Sequence, residues 1–237
     1  MKKTIHPAES RGHANHGWLK ANHSFSFASW YDPARIHFGA IRVLNDDTIA
    51  PGAGFPTHPH DNMEIITIPL SGILEHKDSM GNVAQIKTGE VQVMSAGTGV
   101  THSEYNGSQT EELKLFQIWL FPNKKDVTPR YDELKLNIED RKNKFQQILS
   151  PSPDDDGVWI HQQAWMHMIS MEANTDKVYQ FKSTGSGVYV MVISGTVEID
   201  GTTLKDRDAI GVWDADQFKV TSKESAELLL IEVPMEL

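Results

Sequence analysis

His58-Pro59-His60 is the stretch of this sequence whose residue types and spacing could do chemistry. On an extended strand successive side chains alternate faces, so the two imidazoles point the same way, and Glu64 shares their parity. Further along, His102-Ser103-Glu104 repeats the arrangement, again with two potential ligands on one face. Three neutral imidazoles and one carboxylate, from either Glu64 or Glu104, suit Fe(II), Mn(II), Ni(II), Cu(II) or Zn(II) far better than Ca(II) or Mg(II), which demand oxygen. The chain contains no cysteine. Disulfides, thiolate zinc sites, iron–sulfur clusters and cysteine nucleophiles are therefore excluded, and any metal sits on nitrogen and oxygen. Four protein ligands on a six-coordinate ion leave two positions for water, substrate or dioxygen, which is the arrangement of a catalyst rather than of a structural staple.

Bringing these groups together takes two strands, and the surrounding sequence reads as strands. Runs rich in Val, Ile, Leu and aromatics, such as Ile65 to Leu70, Val91 to Met94, Leu113 to Phe121, Val188 to Ile193 and Leu228 to Val233, recur along the chain. Turn signals separate such runs, among them Met80-Gly81-Asn82, Asp156-Gly157 and Asp200-Gly201, where positive φ costs little. The expected fold class is all-β, a barrel or sandwich.

A length of 237 residues favours two domains. Ser71-Gly72-Ile73-Leu74-Glu75 matches Ser194-Gly195-Thr196-Val197-Glu198 in pattern at an offset of 123 residues, which predicts two copies of one barrel. Pro122 to Lys144, dominated by charged residues and Asn and holding two prolines, reads as a linker. The expected organisation is a metal-binding barrel over 1–122, a linker over 123–144 and a second barrel over 145–237.

The same offset places Phe181 and Ser183 opposite His58 and His60, and no histidine follows His167. The second barrel is thus expected to lack metal ligands. His6, His37, His76, His161 and His167 lie outside any ligand spacing and read as structural, as does the cluster of His13, His16 and His23 with Trp18, Phe25 and Phe27. Gln117 shares strand parity with Leu113, Leu115 and Trp119, and faces either the cavity or solvent.

A formal charge of −10 without a Lys/Arg cluster opposes direct nucleic-acid binding. No apolar run approaches the roughly 18 residues that would span a bilayer. Met1-Lys2-Lys3 leads to His6, Pro7 and Glu9 without the apolar core of a secretory signal. A cytoplasmic monomer is the expectation.

Gly52, His58-Pro59-His60, Glu64 and Gly72 resemble the first cupin motif, with the last gap one residue longer than usual. Gly89 through His102 to Asn106 resembles the second, except that Ser95 stands where proline is expected and Ser95 to Gly99 carries two extra residues. Both departures are similar to the pirin family. So are Arg11 to Leu19, Phe25-Ser26-Phe27, Tyr31-Asp32-Pro33, Phe55 to His60 and Met94 to Glu104.

The resemblance implies two cupin-type jelly-roll barrels, the N-terminal one binding metal and the C-terminal one degenerate. It implies His58, His60, His102 and Glu104 as metal ligands, with Glu64 behind them orienting an imidazole. It implies one divalent transition metal, Fe(II) foremost, with Ni, Mn, Cu and Zn also suited. The activity implied is that of a quercetinase, in which dioxygen opens the central heterocycle of a flavonol, with Glu104 as proton acceptor. The alternative that the family suggests is a regulatory protein that binds a protein partner and uses its metal as a redox sensor.

Overall fold

In Glu64–Ser71 and Leu113–Leu120 most side chains are buried regardless of parity, as in strands covered on both faces. The computed structural model, which describes residues 1–237, shows what covers them. Ile66, Ile68, Phe116 and Ile118 enter a cluster of 27 buried apolar residues that also takes Met166, Met168, Leu229 and Ile231 from the second half of the chain. Their neighbours Thr67, Leu115 and Gln117 point the other way, into the first of two barrels.

Each barrel pairs a seven-stranded sheet with a four-stranded one, and the two repeat the same strand order. In the first barrel the large sheet runs Arg130–Lys135, Glu90–Ser95, Glu64–Ser71, Leu113–Leu120, Ile41–Ile49, Leu19–His23, Gly12–Asn15. Its small sheet runs Gly54–His60, Val100–Asn106, Ile73–Asp78, Val83–Lys87. In the second barrel Lys2–His6, Ala209–Trp213, Ser186–Ser194, Ala226–Pro234, Trp165–Met171, Gln146–Ser150 and Val158–Trp159 form the large sheet. Asp176–Gln180, Gln217–Ser222, Val197–Ile199 and Thr202–Leu204 form the small one. The fold is the all-β, two-cupin architecture expected. The short sequence repeat falls at equivalent corners, where Gly72 and Gly195 adopt φ of +87° and +88° between one strand and the next.

The expected boundaries need two corrections. Lys2–His6 pairs with Ala209–Trp213 in the second barrel, so residues 1–122 do not form one body. Within the expected linker of 123–144, Arg130–Lys135 pairs with Glu90–Ser95 and closes the first barrel. Its polar composition hid this strand: Arg130, Asp132 and Glu133 are tied down by local hydrogen bonds and an ion pair rather than by apolar burial.

The second barrel is filled by 16 buried apolar residues. Tyr179 stacks on Phe218, and Phe181 packs its edge against the same ring. Ser183, the other residue read as opposite the ligands, uses its backbone N–H to cap Glu232.

Two histidines read as structural are buried at sheet positions of this barrel. His6 meets the Tyr189 hydroxyl at 2.9 Å, and His167 meets that of Tyr179 at 3.2 Å. Burial, with a contribution from Arg35, pushes His6 down to about 4, and burial, with one from Lys182, pushes His167 down to about 3. Both stay neutral in the fold while the unfolded chain protonates them below its pKa of about 6.5. Their stabilising contribution is therefore complete above that pH and declines as pH falls towards the folded values. Substituting both (His6→Gln, His167→Gln) should flatten the acid limb of urea stability between pH 6.5 and 4.5 by up to about 2.7 kcal/mol per pH unit, one proton's slope for each histidine. Equal slopes in the parent and the double variant would refute this.

Candidate metal centre

Gly54–His60 and Val100–Asn106 are neighbours in the small sheet of the first barrel, with His58 directly opposite His102 and His60 opposite Val100. This close crossing depends on Gly54: a Cβ there would fall 2.2 Å from the Glu104 carbonyl oxygen. Pairing shifts register between His102 and Glu104. Such a bulge re-aims the side chains on either side of it.

The ring centroids of His58 and His102 lie 4.4 Å apart, and His60 is 4.9 Å from each. Potential ligand atoms of the three rings lie within 4.8 Å of one another. A second triple, His76, His102 and Glu104, satisfies the same limit, so His102 joins Glu104 to the histidine cluster.

Local contacts set the state of each ring. His58 Nδ1 lies 2.8 Å from the Pro56 carbonyl oxygen, which can only accept, so Nδ1 carries a proton and Nε2 is the nitrogen available to a metal. Burial, reinforced by His58, pushes His60 down to about 4. Burial, with His58 and His60 adding to it, pushes His102 down to about 3. Both are neutral near pH 7 and can donate lone pairs. His60 also abuts the face of Trp119 edge-on at 4.9 Å.

Glu104 is buried and accepts hydrogen bonds from Gln117 Nε2 at 2.9 Å and from Thr67 Oγ1 at 3.2 Å. Burial raises its carboxyl to about 7, against the pull of those two bonds. Gln117, whose direction the sequence leaves open, thus faces inward. It belongs to a polar row across the large sheet, in which Gln92, Thr67, Gln117, Asn45 and His23 occupy successive paired positions.

The residues fit a divalent transition metal. Both ring nitrogens of His102 are buried without a hydrogen-bond partner, a cost of roughly 1–3 kcal/mol per group that a bound cation would relieve. The donors are imidazole nitrogens and a carboxylate, the set such ions prefer.

Glu64 does not lie behind the imidazoles. Asp61-Asn62-Met63 turns a corner, with Asn62 at φ +44°, and the chain passes from the small sheet to the large one. Parity does not carry across that corner. Glu64 lands on the same face as Ile66, away from the pocket, and takes a 2.7 Å hydrogen bond from Ser95.

Several residues of the site are ones that the sequence reading passed over. His76, read as structural, is buried beside His102 with Asp78 and Tyr131 around it. His23 and Phe27, read as part of a structural segment, line the cavity. Asn45 and Asp47 carried no motif. The one available signal was alternation: on Leu19–His23 and Ile41–Ile49, His23, Asn45 and Asp47 hold inward positions that apolar residues normally take. Burial, together with Asp46 and Glu104, raises Asp47 to about 8.

The cavity so formed is about 300 Å³. It is lined by His58, His60, His102, Glu104 and Gln117, by His23, Asn45 and Asp47, and by the aromatic side chains of Phe27, Phe55 and Trp119. Convergent polar groups beside aromatic surface are the layout of a small-molecule site.

Comparison with known proteins agrees with this architecture over the whole chain. The pirin family model matches residues 4–120, and the model described as the quercetinase C-terminal cupin domain matches residues 147–233. A quercetin 2,3-dioxygenase of Escherichia coli (strain K12) is 42% identical over 230 residues, spanning 97% of this chain and 98% of that one. A pirin-like protein of Caulobacter vibrioides is 41% identical over 227 residues, spanning 95% and 97%. The crystal structure of the bacterial pirin YhhW of Escherichia coli in complex with nickel(II) superposes with a TM-score of 0.93 at 41% identity, covering 98% of this chain and 99% of that one. Two domain matches in the order of the two barrels, joined by similarity at this level from end to end, make this chain a member of the pirin family.

Proposed function

We propose that the chain is a metal-dependent dioxygenase that cleaves the central heterocycle of a flavonol such as quercetin. The observation that carries this reading is the convergence of three imidazoles and a buried carboxylate in an aromatic-lined cavity. The names of the relatives support it: that of Escherichia coli is a quercetin 2,3-dioxygenase, and the YhhW structure contains nickel(II). His58, His60, His102 and Glu104 would hold the ion, with Fe(II) the expected occupant and Ni, Mn, Cu or Zn compatible with the same donors. When bound, that ion supplies Lewis acidity that makes a flavonol 3-hydroxyl more acidic, together with a meeting point for dioxygen.

The chain's own residues would do the rest. Glu104, with a proton affinity near neutral, is placed to take the hydroxyl proton on a carboxylate oxygen. Gln117 and Thr67 hold that carboxylate in one orientation. Trp119 and Phe27, in edge-to-face contact at 5.4 Å, offer a rigid wall for flat rings. Asp47, kept protonated by burial, and His23, anchored on Asn45 at 2.8 Å, can hydrogen-bond ring hydroxyls. Catalysis is favoured over the partner-binding reading because the chemistry-bearing side chains converge inside a pocket rather than on a surface.

Iron-loaded protein should consume oxygen with quercetin in a saturable manner, and His58→Ala should abolish this; absence of turnover with every divalent metal would reject the reading. Glu104→Gln should lower kcat by about 10²-fold or more, the usual contribution of a positioned general base. Asp47→Leu should act chiefly on KM for quercetin, and a KM equal to that of the parent would remove Asp47 from substrate recognition.

A further inference from the structure

His76 takes no part in the proposed chemistry, yet it is fully buried beside the histidine cluster. Its ring stacks on Tyr131, centroids 4.9 Å apart, and tilts against His102 at 5.4 Å. Its Nε2 lies 3.1 Å from Asp78 Oδ2. The protonation pattern of this pair follows from its partners. Asp78 Oδ1 accepts from the backbone N–H groups of Met80 at 2.9 Å and Asn82 at 3.0 Å, and Oδ2 accepts from Asn82 Nδ2 at 2.8 Å. Every one of these is an obligate donor, so Asp78 acts purely as an acceptor, locked in the hairpin turn between Ile73–Asp78 and Val83–Lys87. The His76 nitrogen facing it must then carry the proton, and Nδ1 of the neutral ring is left as a lone pair.

That lone pair is buried and has no partner. Neighbouring groups are already committed. The Tyr131 hydroxyl donates to Glu133 at 2.9 Å, and both Glu104 oxygens accept from Gln117 and Thr67. His102 is the exception, with both ring nitrogens unpaired and a ring nitrogen within 4.8 Å of one on His76. An imidazole that binds a cation through one nitrogen carries a proton on the other and needs an acceptor for it.

We propose that Asp78 and His76 form a positioning pair for His102, His76 Nδ1 accepting the ring N–H that His102 carries when its other nitrogen binds the ion. The pair rests on the metal site proposed above. It would account for three buried unpaired nitrogens at once: one of His102 closes on the ion, and the other closes on His76. It also gives the edge strand Arg130–Lys135 a function, since Tyr131 clamps the His76 ring in place.

The test is affinity for Ni(II), measured by competition with a chromophoric chelator, and the d–d spectrum of the Co(II)-loaded protein, for the parent, His76→Phe, His76→Gln and Asp78→Asn. Phenylalanine keeps the stack and removes the acceptor, glutamine keeps an acceptor, and Asp78→Asn turns a donor towards His76 and reverses its tautomer. Ni(II) binding should weaken by about 10- to 100-fold in His76→Phe and Asp78→Asn, with a shifted Co(II) spectrum, and should recover in part in His76→Gln. Should His76→Phe fail to fold, Asp78→Asn carries the comparison alone. Parent-like affinity and spectrum in a folded His76→Phe or Asp78→Asn would overturn the pair while leaving the metal site standing. A parent that binds neither ion would overturn the metal site and the pair with it.

Discussion

Everything in this molecule depends on two large sheets that are buried on both faces and pressed against each other. Alternate residues of the same strands serve two interiors, and the layer between the barrels takes the more apolar set, a cluster of 27 residues. At roughly 1.5–3 kcal/mol for each fully buried aliphatic side chain, that layer far outweighs the roughly 1–3 kcal/mol lost at each unpaired polar atom. The inward row of the first barrel is thereby released from making a core. It can hold Gln92, Thr67, Gln117, Asn45 and His23, where the second barrel holds Ile210, Val190 and Leu230 at the first three equivalent positions and His167 and Gln147 at the other two.

Two edge strands tie this arrangement together. Lys2–His6 closes the second barrel from the other end of the chain, and Arg130–Lys135, the last strand of the continuous stretch Gly12 to Lys135, closes the first. The consequence reaches the site. Tyr131, on the edge strand Arg130–Lys135, stacks against His76, which stands beside His102. The strand that links the barrels thus forms part of the wall behind the candidate ligands.

How much of this was legible beforehand depended on how far each inference had to travel along the chain. His58, His60 and His102 were readable because strand parity and His-x-His spacing act over two or three residues, within one element. Glu64 failed because parity was carried through Asp61-Asn62-Met63, where the chain changes sheets; Asn62, a residue type that tolerates positive φ, was the available warning. The fold class and the repeat were visible in the alternation and in the paired Ser-Gly corners. The strand Arg130–Lys135 was not, since its composition is that of a loop and only its pairing with Glu90–Ser95 makes it a strand. His76, Asn45 and Asp47 were invisible for a similar reason: each is ordinary by itself and becomes chemical only through neighbours far away in sequence.

The two barrels also provide an internal control for what buried polarity means. In the second, Glu232 is completely buried, yet it accepts from Tyr179 Oη, Ser186 Oγ and the backbone N–H groups of Lys182 and Ser183. Its polar groups satisfy one another, as those of a structural network must. In the first, atoms of Asp47, His76, Gln92, His102 and Trp119 make up seven of the nine buried side-chain polar atoms without a partner. The same topology therefore yields a closed network in one barrel and an open set of donors and acceptors in the other. Because unpaired polar atoms destabilise a fold unless something binds them, their concentration around His102 is a physical signature of a ligand site that stands independently of any motif.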